Sequence, residues 1–291
     1  MNRIINFHDV RDSIWLEKTI NILQKKYNII SSKEILNYYY SGQKINNTAL
    51  ITVDDGDLTF YEVMYPVFKK YNIPAIIFVS PLSLKREQLT NFWFQEIRNC
   101  DRKEVVDLAI KTIDNIKDKR DDKEHNFFSQ LKIDDIIKVI DQYKQENNIP
   151  KLPPQNMTAE QIKEIDREGL ITIGAHTVWH PFLASEEDER AKWEIEKSIE
   201  DLSSLLGHPI EFFAYPNGRP IKDFGEREKE ILKRTTVKLA FSTEHKNFKK
   251  TSDKYAIPRY GLSYGSPFFI KLKLFMGANF ERLKKIINKI R

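Results

Sequence analysis

Cysteine is almost missing from this 291-residue chain, with Cys100 the single example. One thiol cannot form an internal disulfide and excludes a cysteine-rich zinc cage. The chain is therefore expected in the cytoplasm, with Cys100 a small helix filler rather than a nucleophile. Long apolar runs are missing too. No stretch approaches the length of a membrane span, and Met1-Asn2-Arg3 leads directly into Ile4-Ile5-Asn6-Phe7, too short and too quickly polar for a secretory signal. Histidine is scarce, six residues in all, which gives weight to any two that fall close together. There is no internal repeat or low-complexity linker, and no nucleic-acid recognition motif.

What is present is a 41% apolar content, enough for a real core, and a lopsided charge. The net charge is +5, of which the stretch from Pro267 to Arg291 supplies +6, so the first 266 residues sum to about −1. Strand-like and helix-like segments alternate, which predicts a parallel α/β sheet or barrel. Strands are expected at Arg3–Phe7, Ala49–Val53, Ala75–Val79, Leu170–Ile173, Glu211–Ala214 and Lys238–Ser242, with Ile257-Pro258-Arg259 beginning a last one. Ser31 and Glu34 form a capping box for a helix through Tyr40, and Thr158 caps another. From about residue 84 to 155 the pattern is charged and helical with no convincing strand. That stretch is expected to be a helical insertion between two parts of the main fold.

The segment Ile51-Thr52-Val53-Asp54-Asp55-Gly56-Asp57 is an apolar run that stops at two adjacent carboxylates and a glycine. Two acids at a strand end repel each other unless a cation sits beside them, so the pair reads either as a metal site or as an acidic turn. Gly174-Ala175-His176-Thr177-Val178-Trp179-His180-Pro181 supplies a matching feature. Two histidines four apart at a strand exit, added to Asp55, give the ligand count of a catalytic zinc site, and Asp54 is left over to take a proton from water. Asp57 reads more simply as a helix N-cap.

These residues resemble the polysaccharide deacetylases of carbohydrate esterase family 4, related to the rhizobial chitooligosaccharide deacetylase. Thr52-Val53-Asp54-Asp55-Gly56 is similar to the family's first motif and His176-Thr177-x-x-His180-Pro181 to its second. Phe213-Ala214-Tyr215-Pro216-Asn217-Gly218 resembles the third motif in its bacterial exopolysaccharide variant. The resemblance covers residues 1–80 and 156–260. It implies an irregular (β/α)7-type barrel with the site at the carboxyl ends of its strands, spanning 1–266 apart from the insertion. It also implies hydrolysis of an N-acetyl group on an amino sugar, a metal-bound water attacking the amide carbonyl. Asp55, His176 and His180 would hold a divalent metal, Zn2+ first, with Co2+, Ni2+, Fe2+ or Mn2+ as alternatives. Asp54 would be the general base, and a backbone N–H of the Tyr215–Gly218 turn, which includes Asn217, would hold the oxyanion.

The chain also departs from the family pattern. The third motif's usual Arg is Ala214 here, and no histidine follows His245 to serve as the usual acid. The exopolysaccharide branch, to which the chain is most similar, has an opening segment like Phe7-His8-Asp9-Val10, which implies His8 as general acid; a histidine ordering the first turn is the plainer reading. Arg259 is expected to replace the missing Arg beside Asp54. Trp179 is expected either to stack on a sugar or to wall the site. The expected partner is an amino-sugar glycan or a lipid-linked sugar. The basic amphipathic tail 267–291 is read either as a helix closing the barrel or as a peripheral contact with an anionic membrane face. Alternatives are deformylation of a lipid-linked formamido sugar and a catalytically silent glycan-binding barrel.

Overall fold

A computed structural model describes residues 1–84, 91–114, 116, 124–277 and 279. Eight strands form: β1 (Arg3–Phe7), β2 (Asn28–Ile30), β3 (Thr48–Val53), β4 (Ala75–Val79), β5 (Ile171–Ala175), β6 (Phe212–Ala214), β7 (Leu239–Phe241) and β8 (Tyr260–Gly261). Seven of them run side by side in the order β7-β6-β5-β4-β3-β1-β8, every pair parallel, with β2 against the start of β3. The two edges meet through residues 257–261. Ile257 bridges to Phe241 of β7, and three residues later Tyr260 pairs with Ile5 of β1. Pro258, which has no N–H to offer a ladder, sits where the segment changes partner. The expected seven-stranded barrel is the observed fold.

Alternation within the strands sorts the core in two. Ile4, Leu50, Ile76, Phe78, Phe212, Ala214, Leu239 and Phe241 form one buried cluster inside the ring. Their neighbours Ile5, Ile51, Ile77, Ile173, Phe213 and Ala240 belong to a larger cluster under the outer helices. Burial on both faces is why the strands read as unbroken apolar runs. Helix α2 (Ser32–Tyr40) crosses the mouth at the strands' amino ends, Ser32 bonding Thr172 at 2.7 Å and Tyr40 the Lys238 carbonyl at 2.9 Å. The carboxyl ends are left open for a site.

The outer helices are α1 (Ser13–Lys26), α3 (Tyr65–Tyr71), α8 (Ala159–Glu168), α9 (Asp188–Leu206), α10 (Glu226–Lys233) and α11 (Pro267–Met276). Between β4 and α8 lie α4 (Trp93–Glu96), α5 (Arg102–Thr112), α6 (Glu124–Phe128) and α7 (Ile133–Glu146), and no strand occurs among the described residues of 84–155. These helices have their own core, built on Trp93, Ile97, Val105, Phe128, Ile136 and Ile140 and continuous with Phe182 of the barrel.

The expected boundary at residue 266 is not a structural one. Ile270 and Leu274 of α11 are buried in the main core, and Arg3 and Lys26 donate to the Leu274 carbonyl at 2.5 and 3.1 Å. Residues 267–276 are therefore part of the barrel wall. Phe280, Leu283, Ile286, Ile287 and Ile290 lie outside the described residues. Among the described residues no helix is long and apolar enough to cross a membrane.

Candidate active site

Leu50, Thr52 and Asp54 alternate onto the inner face of β3, so the strand's inward series ends in a carboxylate. Asp55 then takes a left-handed backbone, φ 77°, followed by Gly56 at φ 73°. That double turn sends the two adjacent acids to different partners. Asp57 Oδ1 accepts from the Thr59 N–H and hydroxyl at 2.9 and 2.7 Å, the capping role expected of it.

Asp54 is buried and gripped. Arg259 Nη1 and Nη2 donate to its two oxygens at 2.6 and 2.9 Å, and Asn6 Nδ2 donates to Oδ2 at 2.9 Å. Asn6 Oδ1 in turn accepts from Arg259 at 2.9 Å and from the Thr52 hydroxyl at 2.8 Å. The guanidinium is fully buried, lies over the Phe78 ring at 5.4 Å, and donates through Nε to the Ser242 carbonyl. Burial by itself would raise the Asp54 pKa. Arg259, with His176 and His8 beyond it, outweighs that and holds the carboxyl below its usual range. His8 Nε2 stands 3.8 Å from Asp54 Oδ2 with half its side chain exposed. Asn6, and the part Thr52 plays within the first motif, escaped the sequence reading. Their signal was a polar residue at an inward position of an otherwise apolar strand.

Asp55 faces the two histidines. Its Oδ1 is 3.4 Å from His176 Nε2 and 3.4 Å from His180 Nε2. His176 Nδ1 lies 2.7 Å from the Ala214 carbonyl, so it carries the proton and leaves Nε2 as the free lone pair. Burial lowers the His180 pKa more than Asp55 raises it, which favours the neutral, ligating form. For Asp55, the two adjacent imidazoles, His176 and His180, outweigh burial and hold it well below the usual carboxylate range.

The loop that presents the histidines is strained and braced. Thr177 and His180 both have left-handed backbones, φ 61° and 56°, a conformation that costs on the order of 1–3 kcal/mol per non-glycine residue. Glu194 of α9, fully buried, accepts the Val178 and Trp179 N–H groups at 2.9 Å each. Burial pushes its pKa up to about 7 despite those bonds and nearby Arg190. From the helical insertion, Trp93 Nε1 donates to the His180 carbonyl at 3.2 Å, and the Phe92 and Phe94 rings lie 5.6 and 4.8 Å from the imidazole. Gly174 is needed beneath the loop, since a Cβ there would meet the Phe78 ring at 2.6 Å and the Phe212 carbonyl at 3.0 Å.

Asp55, His176 and His180 form the one group of three or more such donors found among the described residues. Two imidazoles and one carboxylate match hydrolytic zinc sites, and donors on ~2.1 Å arms of a tetrahedron stand ~3.4 Å apart. The observed Nε2–Oδ1 separations agree. The donor set fits a divalent metal.

The three donors and Asp54 open into a cleft of about 220 Å³, its other walls His8, Trp93, Phe94, Asn217 and Thr243. Asn217 has a left-handed backbone, φ 60°, and its buried Nδ2 has no hydrogen-bond partner. Two expectations need correction here. Tyr215 does not serve the cleft, because its ring stacks on Phe224 at 3.6 Å, its hydroxyl bonds the Tyr255 carbonyl, and its N–H donates to the Phe241 carbonyl at 3.2 Å. Trp179 turns away from the donors into a crevice of the insertion beside Trp93, Ile137 and Ile140, so Trp93 and Phe94 wall the site in its place.

Residues 41–239 match the family model for polysaccharide deacetylase. The chain belongs to the polysaccharide deacetylase family. This deacetylase is thus a hydrolase of amide bonds, with a polysaccharide as its class of substrate. No curated protein is significantly similar to it. Among solved structures, IcaB from Ammonifex degensii is 19% identical with a TM-score of 0.61 over 90% of this chain and 91% of that one. A de-N-acetylase from Aggregatibacter actinomycetemcomitans is 16% identical with a TM-score of 0.63, covering 93% and 98%. The Streptococcus pyogenes deacetylase PplD, solved with acetate, is 16% identical with a TM-score of 0.59, covering 93% and 96%. These structures share the fold. The deacetylase's matched segment stops short of both Asn6–His8 and Arg259, which meet Asp54 from the two ends of the chain.

Proposed function

We propose that the protein is a metal-dependent deacetylase of N-acetylated amino sugars in a glycan or lipid-linked saccharide. The observation that carries this reading is the division of labour between neighbouring carboxylates. Asp55 faces His176 and His180, while Asp54 is held ionised by Arg259 in the same cleft. Asp55, His176 and His180 would hold a divalent ion, Zn2+ first by the donor set, which would supply Lewis acidity toward an amide carbonyl and lower the pKa of water. Asp54 accepts a proton from the attacking water, its lone pairs oriented by Arg259 and Asn6. Attack on the amide carbon converts the carbonyl to an oxyanion, for which the unpartnered Asn217 Nδ2 is a donor on the cleft wall. Collapse breaks the C–N bond, releases acetate, and leaves an amine that takes its proton from His8 on the open side. The strained His176–His180 loop, braced by Glu194 and Trp93, keeps the imidazoles in place.

The test is acetate and formate release from a panel of N-acylated amino sugars, with bound metal measured on the same protein. Asp54→Asn is expected to lose turnover by at least about 100-fold while keeping its metal. Loss of metal from that variant would mean base and ligand are misassigned, and formate in place of acetate would move the substrate to formamido sugars. Membrane contact is proposed on the basic sequence beyond Gly277. Because α11 is part of the core, the variant to compare on anionic liposomes ends at Gly277, and equal binding by both chains would refute the contact.

A further inference from the structure

A second cavity begins where the cleft ends, and His8 belongs to the walls of both. It measures about 580 Å³ against about 220 Å³ for the cleft. Sites that enclose a ligand commonly run to ~300–1,000 Å³, so the cleft by itself is small for anything longer than the group that reacts. The larger cavity lies between the turn after β1, which carries Asp9 and Arg11, and the segment after β8, which carries Ser263 and Tyr264.

Tyr264 is the notable wall. It is 70% exposed, yet it is held from two sides. Its hydroxyl bonds Asp12 Oδ2 at 3.3 Å, and its ring lies 5.3 Å from Trp15, tilted by 32°. Trp15 is itself pinned, its indole N–H donating to the Gly265 carbonyl at 2.8 Å and its backbone N–H to Asp12 Oδ1 at 2.9 Å. The result is a fixed, solvent-facing aromatic face edged by a carboxylate, a guanidinium and a hydroxyl. A pyranose ring offers a matching surface: a C–H face for the aromatic ring and hydroxyls around its edge for the polar groups.

We propose that this cavity is the subsite for the saccharide unit next to the one being deacetylated, with Tyr264 as its stacking platform and Asp9, Arg11 and Ser263 reading its hydroxyls. The proposal rests on the amino-sugar reading above and extends it: the enzyme acts on a chain of at least two sugars, which crosses His8. The lining also holds Lys273, so phosphate is the rival occupant; a sugar is favoured because Trp15 and Tyr264 both line the cavity and Arg11 is shared with Asp9 at 3.7 Å.

The experiment compares the metal-loaded wild type, Tyr264→Ala and Tyr264→Phe on N-acetylglucosamine oligomers of one to four units in β-1,4 and β-1,6 linkage. Wild-type kcat/KM is expected to rise from one unit to two. Tyr264→Ala should lose about 2- to 10-fold of that gain, mainly in KM, with single-unit activity unchanged and Tyr264→Phe restoring most of it. A parallel titration of Asp54→Asn, with and without Tyr264→Ala, follows tryptophan fluorescence and reads binding without turnover. Tyr264-dependent binding of oligomers with no acetate release from any of them would support the subsite and sink the reaction assigned above. A wild type indifferent to length, an equal loss on all lengths, or inorganic pyrophosphate displacing oligomers regardless of residue 264 would each overturn the subsite.

Discussion

Replacing Arg259 by Met removes the charge that faces Asp54 while keeping a side chain of similar length. In the native protein the guanidinium is fully buried and Asp54 is 3% exposed, with bonds of 2.6 and 2.9 Å between them. Water cannot screen such a pair, so breaking it should cost about 3–5 kcal/mol, far above the ~0–1 kcal/mol of a surface pair. The pH dependence carries the sharper signature. Native Asp54 has a depressed pKa, so it adds stability above the unfolded value near 3.8 and loses it as pH falls through the folded value. Without Arg259, burial raises the carboxyl instead, so the variant's deficit grows as pH rises above about 4 and is largest at neutrality. Urea unfolding at pH 4.5 and pH 7 measures that growth. In catalysis, the acid limb of the kcat/KM profile should move up by about 1–3 pH units. Removing the other charge too, in Asp54→Asn with Arg259→Met, should recover much of the stability. An equal deficit at both pH values, or an acid limb that stays put in a folded variant, would refute the assignment of Arg259 as the holder of an ionised base.

Gly174→Ala should cost about 1–3 kcal/mol and weaken metal binding, because the new methyl meets a backbone carbonyl as well as the Phe78 ring just below His176; a melting curve and a metal titration on one sample check both. Glu194 holds its proton to about pH 7 when folded and to about 4.5 when unfolded, so its contribution is full below 4.5 and disappears as pH rises through 7. The gap between Glu194→Gln and wild type should therefore widen in the variant's favour by up to about 3 kcal/mol between pH 4.5 and 8, and parallel stability profiles would rule the effect out. Zn2+ at 100 times its dissociation constant should stabilise the wild type by about 2.7 kcal/mol and leave Asp55→Asn unmoved, asparagine being at ease in the left-handed turn. A chelator should reverse the shift.

The site's acids and His176 were legible because each sits at the abrupt end of an apolar strand, after β3 and after β5, and Arg259, just ahead of β8, through the family resemblance. The roles of two other supporting groups were not. Asn6 and Glu194 are separated from what they support by 48 and 16 residues, and a polar residue in a strand or on a helix has many ordinary roles. Trp93 and Phe94 fall in the stretch read only as a helical insertion, and Trp93 belongs to its core; that they wall the cleft depends on how the insertion docks. The same holds for α11. Its basic, aromatic sequence suited a membrane face equally well, and only its contact with α1 shows Ile270 and Leu274 buried. For Tyr215, the motif pointed to an N–H that the neighbouring strand already uses.

The junction of Asn6 with Arg259 spans 253 positions of sequence. Contacts so distant form late, because the loop between them must close before they return any energy. A nascent chain that has emerged as far as residue 250 already contains Asp55, His176 and His180, and with them the whole donor set for an ion. It lacks the guanidinium that keeps Asp54 ionised. On the proposed reading, an ion would find its donors during synthesis before Asp54 meets its guanidinium, and activity would await the last strand closing the ring.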